Sequence, residues 1–343
     1  MSRKRLWIIG LFFFAYGLFP VVCFCDTASP QRHILVTTFP IYQIVRNLTQ
    51  GCEGIHTALL LSSHLGCPHD YVVTPQDLQK LAKADILVIN GLGMESFLEA
   101  SLKKANPKLT VIDSSKGISD LLPYGFDSGA ASESKQAKAQ HEVKKSGGKH
   151  AHEHDDDKNH DHKHEHTGES NPHLFVSPRM SLRIVATIAS ALSDLNPELA
   201  DRYRQNAETY KDTLNRLAND MAALGKNLRN NRIVQPHGIF DYMARDMGLE
   251  IVATMQPEGL APSASEMKKL IHILREKQVG AIVTEPQYPD KIGNTLSKET
   301  GVPLIRLDPV ASGPQDAPLD YYETVMRDNM EALRATIGVS GSS

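Results

Sequence analysis

Cysteine is scarce, tryptophan nearly absent, and neither sign of charge prevails: 343 residues hold four Cys, one Trp and a formal net charge of -3. The near-balance of charge argues against a general nucleic-acid binder, which carries a clustered basic face. So few cysteines cannot staple a disulfide-dense scaffold, and a chain of this length suggests about two domains with cores of their own. Beyond Phe19 no apolar run is long enough to span a bilayer. Nucleotide and protease signatures are also missing. There is no G-x-x-x-x-G-K-S/T of a P-loop ATPase and no H-E-x-x-H of a zincin protease. Gly91-Leu92-Gly93 lacks the third glycine of a dinucleotide fingerprint and reads as a tight turn.

What is present begins with an export signal over residues 1–25. Arg3, Lys4 and Arg5 precede an uncharged apolar run from Leu6 to Phe19, the pattern of an n-region and h-region. Cys23 and Cys25 are small enough to stand at the −3 and −1 positions of a cleavage site, so that Asp26 starts the mature chain. The alternative is a lipoprotein, with lipid on Cys23 or Cys25. Either way the expected location is the periplasm or the outer face of the cytoplasmic membrane. Export makes a bridge between Cys52 and Cys67 chemically feasible, worth about 3 kcal/mol if unstrained. The alternative is two buried small hydrophobes. The bridge is the expectation, because both cysteines lie in segments flanking the loop that carries His69.

Short β-type runs alternate with helical patterns, which reads as α/β. In the first half, 34–38, 55–60, 85–90 and 109–112 read as strands, and 41–50, 74–84 and 95–105 as helices. In the second half, 232–235, 250–253, 281–284 and 303–307 read as strands, and 240–247, 264–278, 290–300 and 319–336 as helices. Two similar lobes result, over residues 26–195 and 229–343, each a mainly parallel sheet flanked by helices. Between them, residues 196–228 read as a linking spine helix, capped by Asn196 and started by Pro197. Leu199, Tyr203, Tyr210, Leu214, Leu217, Met221 and Leu224 form its apolar stripe, and its length is about 40 Å. Residues 127–170 have almost no large apolar side chain and read as a disordered insert in the first lobe.

That insert holds His141, His150, His152, His154, His160, His162, His164 and His166 among Asp155, Asp156, Asp157, Asp161 and Glu165. Imidazole suits zinc, copper or nickel, and carboxylates add oxygen donors, so the run reads as a low-affinity metal-binding segment. Four other residues stand singly in loops or after strands: His69 in Cys67-Pro68-His69-Asp70, His173 in Asn171-Pro172-His173, His237 in Gln235-Pro236-His237-Gly238, and Asp308 in Leu307-Asp308-Pro309. Ligands of open α/β sheets gather at the carboxyl ends of strands, and three imidazoles with a carboxylate suit zinc. A proline before each histidine restricts the loop that carries it. Spacing alone does not establish that the four converge.

Several motifs, in this order, resemble the bacterial ABC-importer binding proteins for zinc and manganese. They are Pro68-His69-Asp70-Tyr71, Ile89-Asn90-Gly91-Leu92-Gly93-Met94-Glu95, Asn171-Pro172-His173, His237-Gly238-Ile239-Phe240, Thr284-Glu285-Pro286-Gln287 and Leu307-Asp308-Pro309. The resemblance runs from about Ile34 to the C-terminus, interrupted by the insert. It implies two α/β lobes on a rigid spine, metal ligands at His69, His173, His237 and Asp308, and delivery of Zn2+ to a membrane permease driven by a separate ATPase. His237 and the histidine-rich insert favour the zinc branch, with manganese or iron as the alternative cargo. Cys67 stands where the family usually has Asp, as a competing thiolate or a disulfide partner, and Asn171 stands where Asp is usual. Water in place of Asp308 is a further alternative, with Glu285 supporting the shell from the next loop. The expected protein is a monomer with no catalysis of its own. Its zinc affinity should weaken as pH falls through about 6. A periplasmic zinc buffer, a surface adhesin and a metallohydrolase are the competing classes; for the last, Glu285 is the one apparent general base.

Overall fold

The computed structural model describes residues 31–66, 68, 71–124, 170–256 and 261–340. The export signal, Cys67, His69, Asp70 and the insert's histidines therefore lie outside the described residues.

Strands β1 (Arg32–Val36), β2 (Ile55–Leu59), β3 (Ile86–Ile89) and β4 (Thr110–Asp113) form one parallel sheet in the order β2-β1-β3-β4. Helices α1 (Phe39–Leu48), α2 (Pro75–Lys83) and α3 (Glu99–Ala105) make its connections. The start of α2 is dictated locally. Thr74 accepts from Asp77 N while the Asp77 side chain accepts from Thr74 N, and Pro75 takes the first helical position.

The second sheet repeats the plan. β5 (Arg232–Gln235), β6 (Glu250–Thr254), β7 (Ala281–Thr284) and β8 (Leu304–Arg306) are parallel in the order β6-β5-β7-β8. The expected fold class is thus observed, and the strand runs agree with the sequence reading to within a few residues. Crossovers between parallel strands need helices on the sheet faces. Those helices, numbered after the two that link the sheets, are α6 (Asp241–Met247), α7 (Ala264–Glu276) and α8 (Lys291–Thr300), with α9 (Tyr321–Ile337) closing the chain.

Two helices, α4 and α5, connect the sheets, where the sequence reading expected one. The spine is α5 (Ala200–Asn227), 28 residues and so about 42 Å long. Its stripe of Tyr203, Tyr210, Leu214, Leu217, Met221 and Leu224 is buried as the spacing required. The helix does not start at Asn196, however. A single 3-10 turn, Pro197–Leu199, precedes it, and the Asn196 amide donates to Tyr203 Oη at 3.3 Å instead of capping. The unforeseen element is α4 (Pro178–Leu195), which buries Met180, Ile184, Val185, Ile188 and Leu192. Ser177 caps it by accepting from Met180 N.

The spine meets α6 at a close approach that only glycine permits. A Cβ on Gly225 would stand 1.9 Å from the Met247 carbonyl oxygen. Alanine is favoured over glycine in a helix interior by about 1 kcal/mol, but here the clash is with backbone. Gly225→Ala is expected to destabilise the fold by about 1–3 kcal/mol, read as a lower midpoint in urea unfolding.

The expected Cys52–Cys67 bridge is not formed at its described end. Cys52 is a free thiol, buried in the main core, and burial pushes its pKa up. Strand direction explains the correction. Cys52 precedes β2 and sits where Arg202 and Tyr203 of the spine sense its charge, whereas Cys67 follows the strand's far end. Five residues of strand, about 17 Å, lie between Cys52 and the loop that leads to Gly66.

Candidate metal site

The carboxyl ends of the two sheets face each other. Gly313 N donates to Ser63 O at 2.9 Å, and Phe39 meets Tyr321 edge-on with ring centroids 5.6 Å apart. A Cβ on Gly66, in the segment leading to His69, would stand 3.4 Å from Tyr288 Oη. The loop after β2 therefore abuts the loop after β7.

Into this junction the second sheet sends His237 directly beyond β5, Glu285 directly beyond β7, and Asp308 beyond β8. From the other side comes His173, just ahead of the 3-10 turn Leu174–Val176. The two imidazoles stand with centroids 5.4 Å apart at 72°. With Zn–N bonds of roughly 2.0–2.1 Å in a tetrahedral shell, two imidazole centroids sharing one ion lie about 5 Å apart. The pair is thus already at chelating separation. Tyr124, Phe175 and Tyr288 rings surround it at 6.0 to 6.5 Å.

His173 is held in one tautomer. Its ring Nδ1 lies 2.8 Å from Asn171 Oδ1, which also accepts from the His173 backbone N at 2.9 Å. The Asn171 amide cannot flip, because its Nδ2 donates to Gly238 O and to Asp241 Oδ2 at 2.6 and 2.8 Å. Asp241 is fixed in turn by Gln235 Nε2 donating to its Oδ1 at 2.7 Å. Since Asn171 presents an acceptor, Nδ1 must carry the proton, and the lone pair falls on Nε2. A metal-ligating histidine oriented by its other nitrogen is the usual device of such sites. Here the orienting carboxylate comes from the opposite lobe, through an asparagine.

Glu285 is 2% exposed, and neither of its carboxylate oxygens has a hydrogen bond within the described structure. His237 Nδ1 stands 3.1 Å from Glu285 Oε1, a contact not aligned for N–H donation. Thr284 Oγ1 and Gln287 Oε1 are likewise buried acceptors without a donor. Orphaned acceptors cost free energy, and the unmet Glu285 oxygens beside His237 mark a place suited to a cation. Asp308 is different. It accepts from Gln287 Nε2 at 2.9 Å and Val310 N at 2.8 Å. Burial raises its pKa; those hydrogen bonds pull it down, and the Glu285 charge raises it again. Of the two carboxylates, Glu285 has the freer oxygens.

The structure thus brings His173, His237 and Glu285 together. Asp308 stands behind Gln287, and His69 lies outside the described residues on a loop whose stem adjoins Tyr288. Among the described residues no three His, Cys, Asp or Glu side chains already form a complete metal cage. Sequence reading missed Asp241, Gln235 and Tyr242. Tyr242 Oη donates to Asn171 O and accepts from Leu122 N, both at 3.0 Å. With the Pro123↔Ser170 bridge, this pins both ends of the insert next to His173. The available signal was polar residues at the end of a buried strand and in the first turn of the helix after it.

Below the site, Glu95 accepts from Thr37 Oγ1, Asn90 N and Gly91 N at 2.6, 2.7 and 3.0 Å. It thereby shapes the loop whose Asn90 Nδ2 donates to Pro172 O at 3.0 Å. Burial nonetheless raises its pKa from 4.5 to about 7. A carboxyl that holds its proton more tightly when folded contributes stability that is complete below its unfolded pKa and is lost as pH rises through the folded one. Glu95→Gln is expected to flatten the dependence of Tm on pH between about 5 and 8. It should also cost about 1–3 kcal/mol at the acid end, where its amide nitrogen faces the Gly91 N–H.

A family model for ZnuA, the periplasmic component A of a zinc-uptake complex, matches residues 34–336. A zinc-binding protein AdcA of Streptococcus pyogenes serotype M3 is 29% identical over 353 residues, covering 99% of this chain and 63% of that protein. The chain thus spans under two thirds of the length of that relative. A high-affinity zinc uptake system protein ZnuA of Bacillus subtilis is 26% identical over 318 residues, 91% of this chain and 89% of the relative. Among solved structures, the SBP FpvC of Pseudomonas aeruginosa in complex with Ni2+ superposes with a TM-score of 0.70 at 26% identity, covering 91% and 99% of the two chains.

Proposed function

The chain belongs to the ZnuA family of periplasmic zinc-uptake components, and from that premise we propose that it is an exported receptor that binds Zn2+ between its lobes and hands it to an ABC permease served by a separate ATPase. The observation that carries this is the imidazole pair: His173 and His237 at 5.4 Å beside a buried Glu285 carboxylate with unmet acceptors. His173, His237 and His69 supply three neutral nitrogens. Glu285 or Asp308 supplies oxygen or charge, with water as the remaining donor. The histidine-rich insert, rooted beside Tyr124 and Ser170, collects further ions more weakly. The protein acts as a monomer, in the periplasm or lipid-tethered outside the cytoplasmic membrane, and performs no catalysis.

The two helices between the sheets shape how cargo is released. A spine buried along its whole stripe resists wide hinge opening. Release therefore comes from a local change at the junction, where docking to the permease shifts the loops carrying His69 and His237.

X-ray absorption at one equivalent of zinc tests the shell. The expected spectrum shows nitrogen and oxygen neighbours with imidazole scattering and no sulfur. A sulfur shell would instead assign Cys67 as a ligand. Manganese is the alternative cargo. Tight Mn2+ binding at the same site, outcompeting zinc, would move the protein to that branch.

A further inference from the structure

Outside the cleft, the described residues hold one other close pair of imidazoles on rigid backbone. β1 and β2 run parallel with His33 directly opposite His56. Paired residues on adjacent strands project from the same face. The two rings are 5.4 Å apart and tilted at 55°, the same centroid separation as the cleft pair. Both residues are exposed. Arg32, one residue earlier, points to the other face, where its charge reaches Tyr203 of the spine. It therefore does not crowd the pair with positive charge. Asp85 fixes His33 from the next strand: its Oδ2 accepts from His33 N at 2.8 Å and its N donates to His33 O at 3.0 Å. A carboxylate thus stands at the backbone of the first histidine.

We propose that His33 and His56 form a second, surface site for a borderline divalent transition ion, held by two imidazoles with water completing the shell. Two imidazoles sharing one ion through bonds of roughly 2.0–2.1 Å require centroids about 5 Å apart, close to the 5.4 Å that the strand register supplies. Ligand type selects Cu2+, Ni2+ or Zn2+ over Mg2+ or Ca2+, with Cu2+ held hardest. The site lies toward the amino edge of the first sheet. Three steps along the strand separate His33 from Val36 at the cleft end, about 10 Å, so this site is independent of the cleft and of the function proposed for it. Having two protein ligands, it fills after the cleft and exchanges faster.

Histidine footprinting with diethyl pyrocarbonate on the full mature chain reads each imidazole separately, so the insert does not obscure the result. Cu2+ or Zn2+ beyond the cleft's requirement is expected to abolish labelling of His33 and His56 together. Exposed His272, which faces Glu276 and not another imidazole, should keep its labelling. In His33→Ala, whose backbone hydrogen bonds remain, His56 should lose its protection; in His56→Ala, His33 should. The proposal is overturned if His56 stays equally protected in His33→Ala, or if neither histidine is protected at Cu2+ concentrations far beyond the cleft's requirement.

Discussion

His237→Ala is expected to weaken zinc binding at the cleft by about a hundred- to a thousandfold. Structural zinc sites with four protein ligands bind with roughly 10–16 kcal/mol, about 2.5–4 kcal/mol per ligand, and each 1.4 kcal/mol is tenfold in affinity. The loss should appear in calorimetric titration of metal-free protein as disappearance of the tight phase, with the weak phase of the insert unchanged. The fold should survive, because among the described residues the His237 side chain makes no hydrogen bond to the lobe; it contacts the Glu285 carboxylate at 3.1 Å. Glu285 would then lie buried without that neighbour, and a small fall in Tm of the metal-free protein is expected.

Asn171→Ala carries the second largest effect, although Asn171 touches no metal in this scheme. Its Oδ1 fixes the His173 proton on Nδ1 and its Nδ2 ties that histidine to Asp241 across the lobes. Without it the ring loses the acceptor that fixes its tautomer. Outer partners of metal-ligating histidines are worth about 10–100-fold in affinity, and zinc binding should fall by that amount. Asp241 Oδ2 also loses the Asn171 amide as a donor, so the metal-free protein should lose about 1–3 kcal/mol. Nitrogen-15 NMR of the metal-free protein separates the two effects. The wild-type His173 should appear as the Nδ1–H tautomer, and Asn171→Ala as a mixture. Asn171→Asp would set two buried carboxylates face to face where an amide now donates, and should be worse than alanine for stability.

Much of this architecture was legible in the residues. The strands were found to within two residues because each is a short apolar run bounded by turn residues, as in Ala281–Thr284. The spine's stripe was legible because large side chains recur at three and four. Helix α4 was missed although Ser177-Pro178 announces its start, because alanine and serine dilute its stripe and it follows directly on the insert. His173 and His237 were visible as loop histidines held by prolines, and they do meet. The Asp241–Asn171–His173 connection was not, because its members lie 70 residues apart and only the packing of one lobe against the other joins them. The Cys52–Cys67 expectation failed for the same kind of reason. Closeness in sequence hid the fact that a whole strand runs between them.

The central claim is that the cleft, not the insert, holds the transported ion. The direct test is zinc titration against a competing chelator of three proteins: the intact mature chain, the same chain lacking residues 141–166, and His237→Ala. The expected result is one tight site that persists in the deletion and is lost in His237→Ala. Tight binding that vanishes with the deletion and ignores His237 would contradict the account and make the protein a zinc buffer.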